Sequence, residues 1–236
     1  MSDLLGIITS SDKRKRLLQL LQDGPKTIGE ITSALDFTTT GMLPQIRILE
    51  ERNLVKQENK KYALTEIGKA IVKHLEPLLK TVEVIEKQED FWQEHDAGAI
   101  PSRLLIKVGE LGNTQIIQSD IEDIYEPHKE FLKNIEKSKK VMGISPIFHP
   151  VYPAFFLGAA EKKINISLIL TRKVFDKIDK EHHDILARGL RFKNASLYIS
   201  DVDIRLACVV TDVFFSISLF YKNGVFDSRK DLVSFD

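Results

Sequence analysis

The spacing of hydrophobic positions changes several times along this chain, and each change predicts an element. Leu17, Leu18, Leu20 and Leu21 form an amphipathic run behind Ser11-Asp12, which offers an N-cap. Gly24-Pro25 ends that run. Thr27 is placed to cap a short helix over 28–35, with Glu30 at the capping-box position and Ile28, Ile31 and Leu35 on one face. Asp36-Phe37-Thr38 reads as a turn. A third helix follows over about 40–52, with Met42 or Leu43, Ile46 and Leu49 facing inward. Pro44 suits that helix only near its first turn. Two short extended runs, 54–57 and 61–64, flank Glu58-Asn59-Lys60 and predict a hairpin.

Thr65 then opens a long helix reaching to about Glu94. Its apolar positions Ile71, Leu75, Leu78, Val82, Ile85 and Trp92 fall on a heptad seam, and Pro77 is expected to kink or break it near Glu76. So narrow a stripe suits one partner helix, which predicts a dimer. His95 to Pro101 reads as a break and a boundary. Beyond it strands and helices alternate: strands over 141–145, 164–171, 196–199, 204–210 and 214–221, helices over 154–162 and 174–190, and a turn at Asn223-Gly224. The pattern predicts an α+β chain. Residues 1–75 form a winged helix-turn-helix, 76–101 a linking and dimerising helix, and 102–236 an α/β regulatory domain.

Composition narrows the function. The 236 residues are 43% hydrophobic and 29% charged, as in an ordinary globular protein. The 34 basic and 34 acidic side chains cancel, which excludes a generic nucleic-acid coat and an acidic disordered tail. The balance is uneven along the chain. Residues 1–73 carry twelve Lys/Arg against nine Asp/Glu, a net +3, whereas 74–94 carry two against six, a net −4. A dimer would present +6 to DNA, so specificity would rest on a few contacts. Cys208 is the one cysteine, which leaves no intrachain disulfide or thiolate cluster, and its alternation with Leu206 and Val210 marks it as a buried apolar residue. Residues 1–9 do not read as a signal peptide, and no run of about 18 apolar residues occurs, so a cytoplasmic location is expected.

Three helices and a hairpin within 53 residues have the spacing of a winged helix-turn-helix. Thr38, Thr39 and Thr40 put hydroxyls at the start of the third helix, where phosphate oxygens are well received. Gln45 is the right chemistry to read adenine, Arg47 to hold a phosphate or guanine, and Lys60 and Lys61 at the wing to touch the backbone. The alternative is an adaptor whose winged helix contacts protein.

Several stretches resemble known families. Leu49 to Val55 resembles the L-x-x-x-G-L-V joint of winged-helix repressors of the arsenic-sensor type, with Asn53 in place of glycine, and Leu64-Thr65-Glu66-Ile67-Gly68-Lys69 resembles the L-T-x-x-G-K start of the following helix. Asp90-Phe91-Trp92 with His95-Asp96 and Ile100-Pro101 is similar to the linker of predicted transcriptional regulators of methanogenic archaea. Ser138 to Val141, Ser145 to Pro150 and Thr211 to Gly224 resemble the C-terminal domain of regulators of methanogenesis and filamentation. The resemblance implies dimeric DNA binding, and a further helix after the final Asp231-Leu232-x-Ser234-x-Asp236. The strand-helix pattern also resembles phospholipase-D-like sensor domains. A catalytic member would need His-x-Lys, and His128-Lys129 has the wrong spacing. With no Gly-rich phosphate loop, G-x-S-x-G or H-E-x-x-H, no enzyme is expected, and His182-His183-Asp184 is expected to be solvated surface without a metal. No cofactor is predicted. Ligands in open α/β sheets bind beyond the carboxyl ends of strands, so Ser145, His149, Tyr152 and Thr171 are the candidates for binding a small-molecule effector. The expected protein is a dimeric, sequence-specific transcriptional regulator that takes its signal through the second domain.

Overall fold

A computed structural model of the chain describes residues 3–119 and 129–236, the side chain of Lys129 excepted. His128 lies outside the described residues. The chain divides into two compact units, Met1–Lys80 and Thr81–Asp236. The segment 76–101 is therefore shared between them, and residues 81–101 pack within the second.

The first unit contains α1 (Leu4–Thr9), α2 (Asp12–Leu20), α3 (Ile28–Leu35), α4 (Thr39–Glu51), β1 (Val55–Glu58), β2 (Lys61–Leu64) and the start of α5 (Glu66–Lys87). Its starts and stops follow local chemistry. Ser11 caps α2, Thr27 and Glu30 close a full capping box on α3, and Asp36 ends α3 in the left-handed region. Leu17, Leu18, Ile31, Met42, Ile46, Leu49 and Leu54 are buried together, so α2, α3 and α4 share one core with the hairpin. Pro44 is the sixth residue of α4, later than expected, and the helix continues through it. The missing donor is the one that would have reached the Thr40 carbonyl. In the hairpin Glu58 pairs with Lys61, and Asn59 and Lys60 both have positive φ (50° and 65°), the signature of a tight primed turn.

The joint between hairpin and α5 explains two sequence signatures. Asn53 occupies the left-handed region (φ 55°) that glycine usually fills. Thr65 Oγ1 donates to the Asn53 carbonyl (2.6 Å) and accepts from Gly68 N–H (2.9 Å). A Cβ on Gly68 would stand 2.0 Å from the Leu54 carbonyl oxygen, so only glycine lets α5 approach β1 there. Contrary to the expectation at Pro77, α5 runs unbroken to Lys87 and the break comes at Gln88 (φ −128°, ψ 43°).

The second unit holds α6 (Glu89–Glu94), α7 (Ser102–Leu105), β3 (Thr114–Gln118), α8 (Lys129–Lys137), β4 (Lys140–Ser145), α9 (Tyr152–Glu161), β5 (Asn165–Thr171), α10 (Arg172–Glu181), α11 (His183–Gly189), β6 (Ala195–Ser200), β7 (Leu206–Thr211), β8 (Phe215–Leu219) and β9 (Lys230–Ser234). Among the described residues its seven strands run in the order β3-β9-β8-β7-β4-β5-β6. β4, β5 and β6 are parallel and joined through helices, and the other pairs are antiparallel. One face packs on α9 through Val141, Ile166, Phe214 and Val233. Part of the other face is covered by Phe91 and Trp92 above Leu219, Ile217 and Leu232.

His95, expected at a loose boundary, is among the most deeply buried residues of the second unit. Its ring stacks between Phe91 and Tyr221 at 4.3 and 4.7 Å. Nδ1 lies 2.7 Å from the Phe91 carbonyl oxygen and Nε2 3.0 Å from Asp227 Oδ2. Each ring nitrogen thus has a polar partner inside the core. Burial opposes ionisation of Asp227, yet hydrogen bonds from Tyr221, from Arg229 N–H (2.8 Å) and from His95 hold its carboxyl below the ordinary carboxylate value. The same carboxylate and burial push the Tyr221 phenol up to about 12.

Removing one member strands the other. His95→Ala is expected to cost about 3 kcal/mol and to lower the second unit's melting temperature by roughly 10 °C. Because folding depresses the Asp227 pKa, the stability it contributes is full above the unfolded value near pH 4 and is lost as pH falls through the folded value. Unfolding followed by circular dichroism from pH 7 to 3 should show that acid loss in the wild type and a smaller one in Asp227→Asn.

Candidate nucleic-acid interface and effector cavity

In the first unit, Thr38 is the N-cap of α4. Its Oγ1 accepts from Gly41 N–H (3.2 Å) and lies 3.3 Å from Thr40 Oγ1, and all three threonines are exposed. Arg47 is exposed about two turns further along α4, and Lys60 and Lys61 are exposed at the wing. Gln45 differs from the sequence expectation. It is half-buried, and its Oε1 accepts from Arg14 Nη1 (2.7 Å) and, at 3.5 Å, from Ser11 Oγ. That amide joins α4 to α2 and is not presented to a base.

Two basic side chains that the sequence reading passed over stand beside α4. Lys13 Nζ lies 5.1 Å and the Arg16 guanidinium 5.0 Å from the centre of the Phe37 ring. A Cβ built on Gly41 would come within 3.1 Å of Lys13 Nζ, so that ammonium sits against the first turn of α4. The signal for both was the run Lys13-Arg14-Lys15-Arg16. A helix N-terminus, three hydroxyls and two cations converge there, an arrangement suited to phosphate.

In the second unit a cavity of about 280 Å³ lies between the sheet and α9, α10 and α11. Ser145, His149 and Tyr152 line it. Thr171 does not. It follows Leu170, which does, and alternation turns Thr171 to the opposite face of β5. The Ser145 hydroxyl donates to the Ile147 carbonyl (2.8 Å) and accepts from Ile147 N–H (3.2 Å), so it shapes the turn after β4. The His149 and Tyr152 rings lie 5.1 Å apart, and burial, with Asp231 nearby, pushes the Tyr152 phenol far up. Phe148, Phe156, Leu168 and Leu186 make the walls mostly apolar, and no Lys or Arg lines the cavity among the described residues. The adjacent histidines beyond it diverge: His182 faces the Phe148 ring and His183 Nδ1 meets Asp179 at 2.8 Å.

Residues 124–236 match the family described as methanogenesis regulatory protein FilR1, middle domain, and residues 3–87 match the HVO_A0261 N-terminal domain. A relative, methanogenesis regulatory protein FilR1 of Methanothrix harundinacea (strain 6Ac), is 25% identical over 226 residues. That alignment takes in 94% of this chain. Over most of its length the chain is thus similar to methanogenesis regulatory protein FilR1. It spans about half the length of that relative (50%). Among solved structures the chain is similar to TrmBL2, an archaeal chromatin protein, at a TM-score of 0.41 and 14% identity over 96% of this chain and 93% of that one. The methyltransferase RosA of Streptomyces davawensis stands at 0.26 and 13%, over 83% and 62%. Neither score carries an argument about function. No helix among the described residues is long and apolar enough to cross a membrane.

The Cys208 side chain packs with Leu206 and Ile217 on the sheet face opposite the cavity, and burial pushes its thiol up to about 12. Little thiolate exists at pH 8. A disulfide reagent such as dithiobis(nitrobenzoate) should label the native chain at least about tenfold more slowly than the denaturant-unfolded chain.

Proposed function

We propose that the chain is a DNA-binding transcriptional regulator, acting in the cytoplasm as a dimer, whose operator affinity responds to a small ligand in the second unit. The observation that carries the DNA reading is the convergence of Lys13, Arg16 and the Thr38, Thr39 and Thr40 hydroxyls at the N-terminus of α4. Arg47 extends that surface, and Lys60 and Lys61 supply wing contacts to the duplex backbone. The similarity to methanogenesis regulatory protein FilR1 supports the regulatory part of the reading. Leu78, Val82 and Ile85 are exposed along one stripe of α5, which supports pairing of that helix with its copy in residues 76–101.

The second unit has the layered sheet and helices of a sensor domain, with the cavity at the carboxyl end of β4, where β5 lies parallel on one side and β7 antiparallel on the other. The phospholipase-D-like comparison serves here as an analogy of fold, without catalysis. Ser145, His149 and Tyr152 would form the polar rim of the effector site. A mostly apolar cavity whose charged lining residues are Asp227 and Asp231, with no cationic side chain among the described residues, suits a largely hydrophobic ligand without a phosphate or carboxylate.

Fluorescence anisotropy with a duplex from the chain's own promoter, at several salt concentrations, tests the DNA reading. Arg47→Ala and Lys60→Ala should each weaken binding and reduce the salt slope by about one if each holds a phosphate. Lys13→Ala should do the same. Gln45→Ala should act through stability instead. Salt-independent or undetectable duplex binding would favour the protein adaptor.

The effector reading has its own probe. N-phenyl-1-naphthylamine should brighten on entering the cavity, and Ala207→Phe, which fills it from β7, should abolish that response while leaving the duplex affinity of the unliganded protein unchanged. Equal brightening in both proteins would place the dye elsewhere and count against the site.

A further inference from the structure

The sheet of the second unit ends at β6, and that edge lacks the features that normally prevent pairing. Edge strands of natural proteins usually carry Lys, Pro, a bulge or a cover, because their unpaired backbone groups template another strand. β6 reads Ala195-Ser196-Leu197-Tyr198-Ile199-Ser200, with no charge, proline or glycine. Tyr198 is 56% and Ile199 36% exposed. The opposite edge strand, β3, runs towards residues outside the description and gives no comparable view.

The register fixes which backbone groups the edge offers. Ile166 pairs with Ala195, and Ile166 N–H donates to the Asn194 carbonyl (2.7 Å). In a parallel pair the groups of alternate residues point to the same neighbour. Asn194, Ser196, Tyr198 and Ser200 therefore turn theirs to β5, and Leu197 and Ile199 turn theirs outward. Leu197 and Ile199 thus present two N–H and two C=O groups on the open edge, and Ala195 adds its carbonyl.

The flanks of the strand are oppositely charged. Arg191 and Lys193 precede it, and Asp201 and Asp203 follow it. Asp201 and Asp203 now meet Arg172 and Arg205, both at 3.0 Å and all exposed, in pairs that exchange at little cost. We infer that β6 is an interaction surface for the β6 of a second copy of this chain, the two pairing antiparallel about a twofold axis perpendicular to the sheet.

The axis keeps each face of one sheet continuous with the same face of its copy, so only residues of equal facing can oppose. Centring the axis on Leu197 satisfies this. Leu197 then opposes Leu197 of the copy and exchanges both N–H···O bonds with it, and Ile199 N–H reaches the Ala195 carbonyl of the copy. The same register brings Lys193 beside Asp201 and Arg191 beside Asp203 of the copy, at both ends. A parallel pairing would set like charges together. The surface is separate from the α5 stripe, so a chain using both would form pairs of dimers.

Hydrogen exchange and sedimentation of the full chain test this together. The Leu197 and Ile199 amides should be protected, increasingly so with protein concentration, and the chain should reach a mass above that of the α5-paired dimer. Lys193→Glu should weaken that association roughly threefold to tenfold, and adding Asp201→Lys should restore it. Ile199→Pro, which deletes an outward N–H, should remove both the protection at Leu197 and the larger species, with circular dichroism reporting on the fold. Unprotected Leu197 and Ile199 amides at every concentration would overturn the inference. So would an assembly indifferent to all three variants.

Discussion

The second unit depends on a buried hydrogen-bonded pair that reaches across 132 residues of chain. His95 and Asp227 are almost wholly shielded from water, and polar groups in that setting are costly unless each is fully hydrogen-bonded. Here the bonding is complete enough to offset the cost. The Phe91 carbonyl and the Asp227 carboxylate take both ring nitrogens of His95, and Tyr221 with two backbone N–H groups takes the rest of the carboxylate. The consequence is architectural. α6 is drawn onto the strands that follow it by more than a hundred residues, and Phe91 and Trp92 cover a sheet face that would otherwise be wet. Apolar residues could fill the same space, but only the directed bonds fix where the chain after α6 must turn.

The first unit rests on a different constraint, a backbone approach. With Gly68 against the Leu54 carbonyl and Thr65 bridging Asn53 to the first turn of α5, the wing and the long helix can meet only one way. That joint sets where the hairpin tip, and with it Lys60 and Lys61, stands relative to α4. The candidate interface is thus positioned by residues that would never touch a nucleic acid.

Local chemistry made the first unit largely readable from sequence. Caps, the Asn59-Lys60 turn and the inward faces of α3 and α4 each depend on a few neighbouring residues, so the spacing of Thr27 and Glu30 or of Met42, Ile46 and Leu49 carries them. What escaped depends on distant partners. His95 looked like part of a break because Asp227 and Tyr221, which make it a core residue, are remote in sequence. Gln45 looked like a base reader because spacing gives its position on α4 and not the Arg14 guanidinium that claims its amide. β3 and β9 were missed because Thr-Gln-Ile-Ile-Gln and Lys-Asp-Leu-Val-Ser put apolar residues side by side, where a half-buried strand would alternate them. Near the ends of β4 and β5, Ser145, His149 and Tyr152 line the cavity, whereas alternation turns Thr171 to the other face, which strand-end position alone does not reveal.

Charge ties these separate features together. With 34 charges of each sign the chain could have been uniformly mixed, yet its segments differ. Basic groups gather at α2, beside the start of α4 and at the wing, and acidic groups gather along 74–94. The latter would repel a duplex, and their position on α5 would discourage that helix from lying along DNA and leave its apolar stripe for protein. β6 stands out against the same background, because a charged chain that leaves one edge strand neutral, between basic and acidic flanks, has removed its repulsion in one direction only. Antiparallel pairing with a copy is the arrangement that those flanks favour.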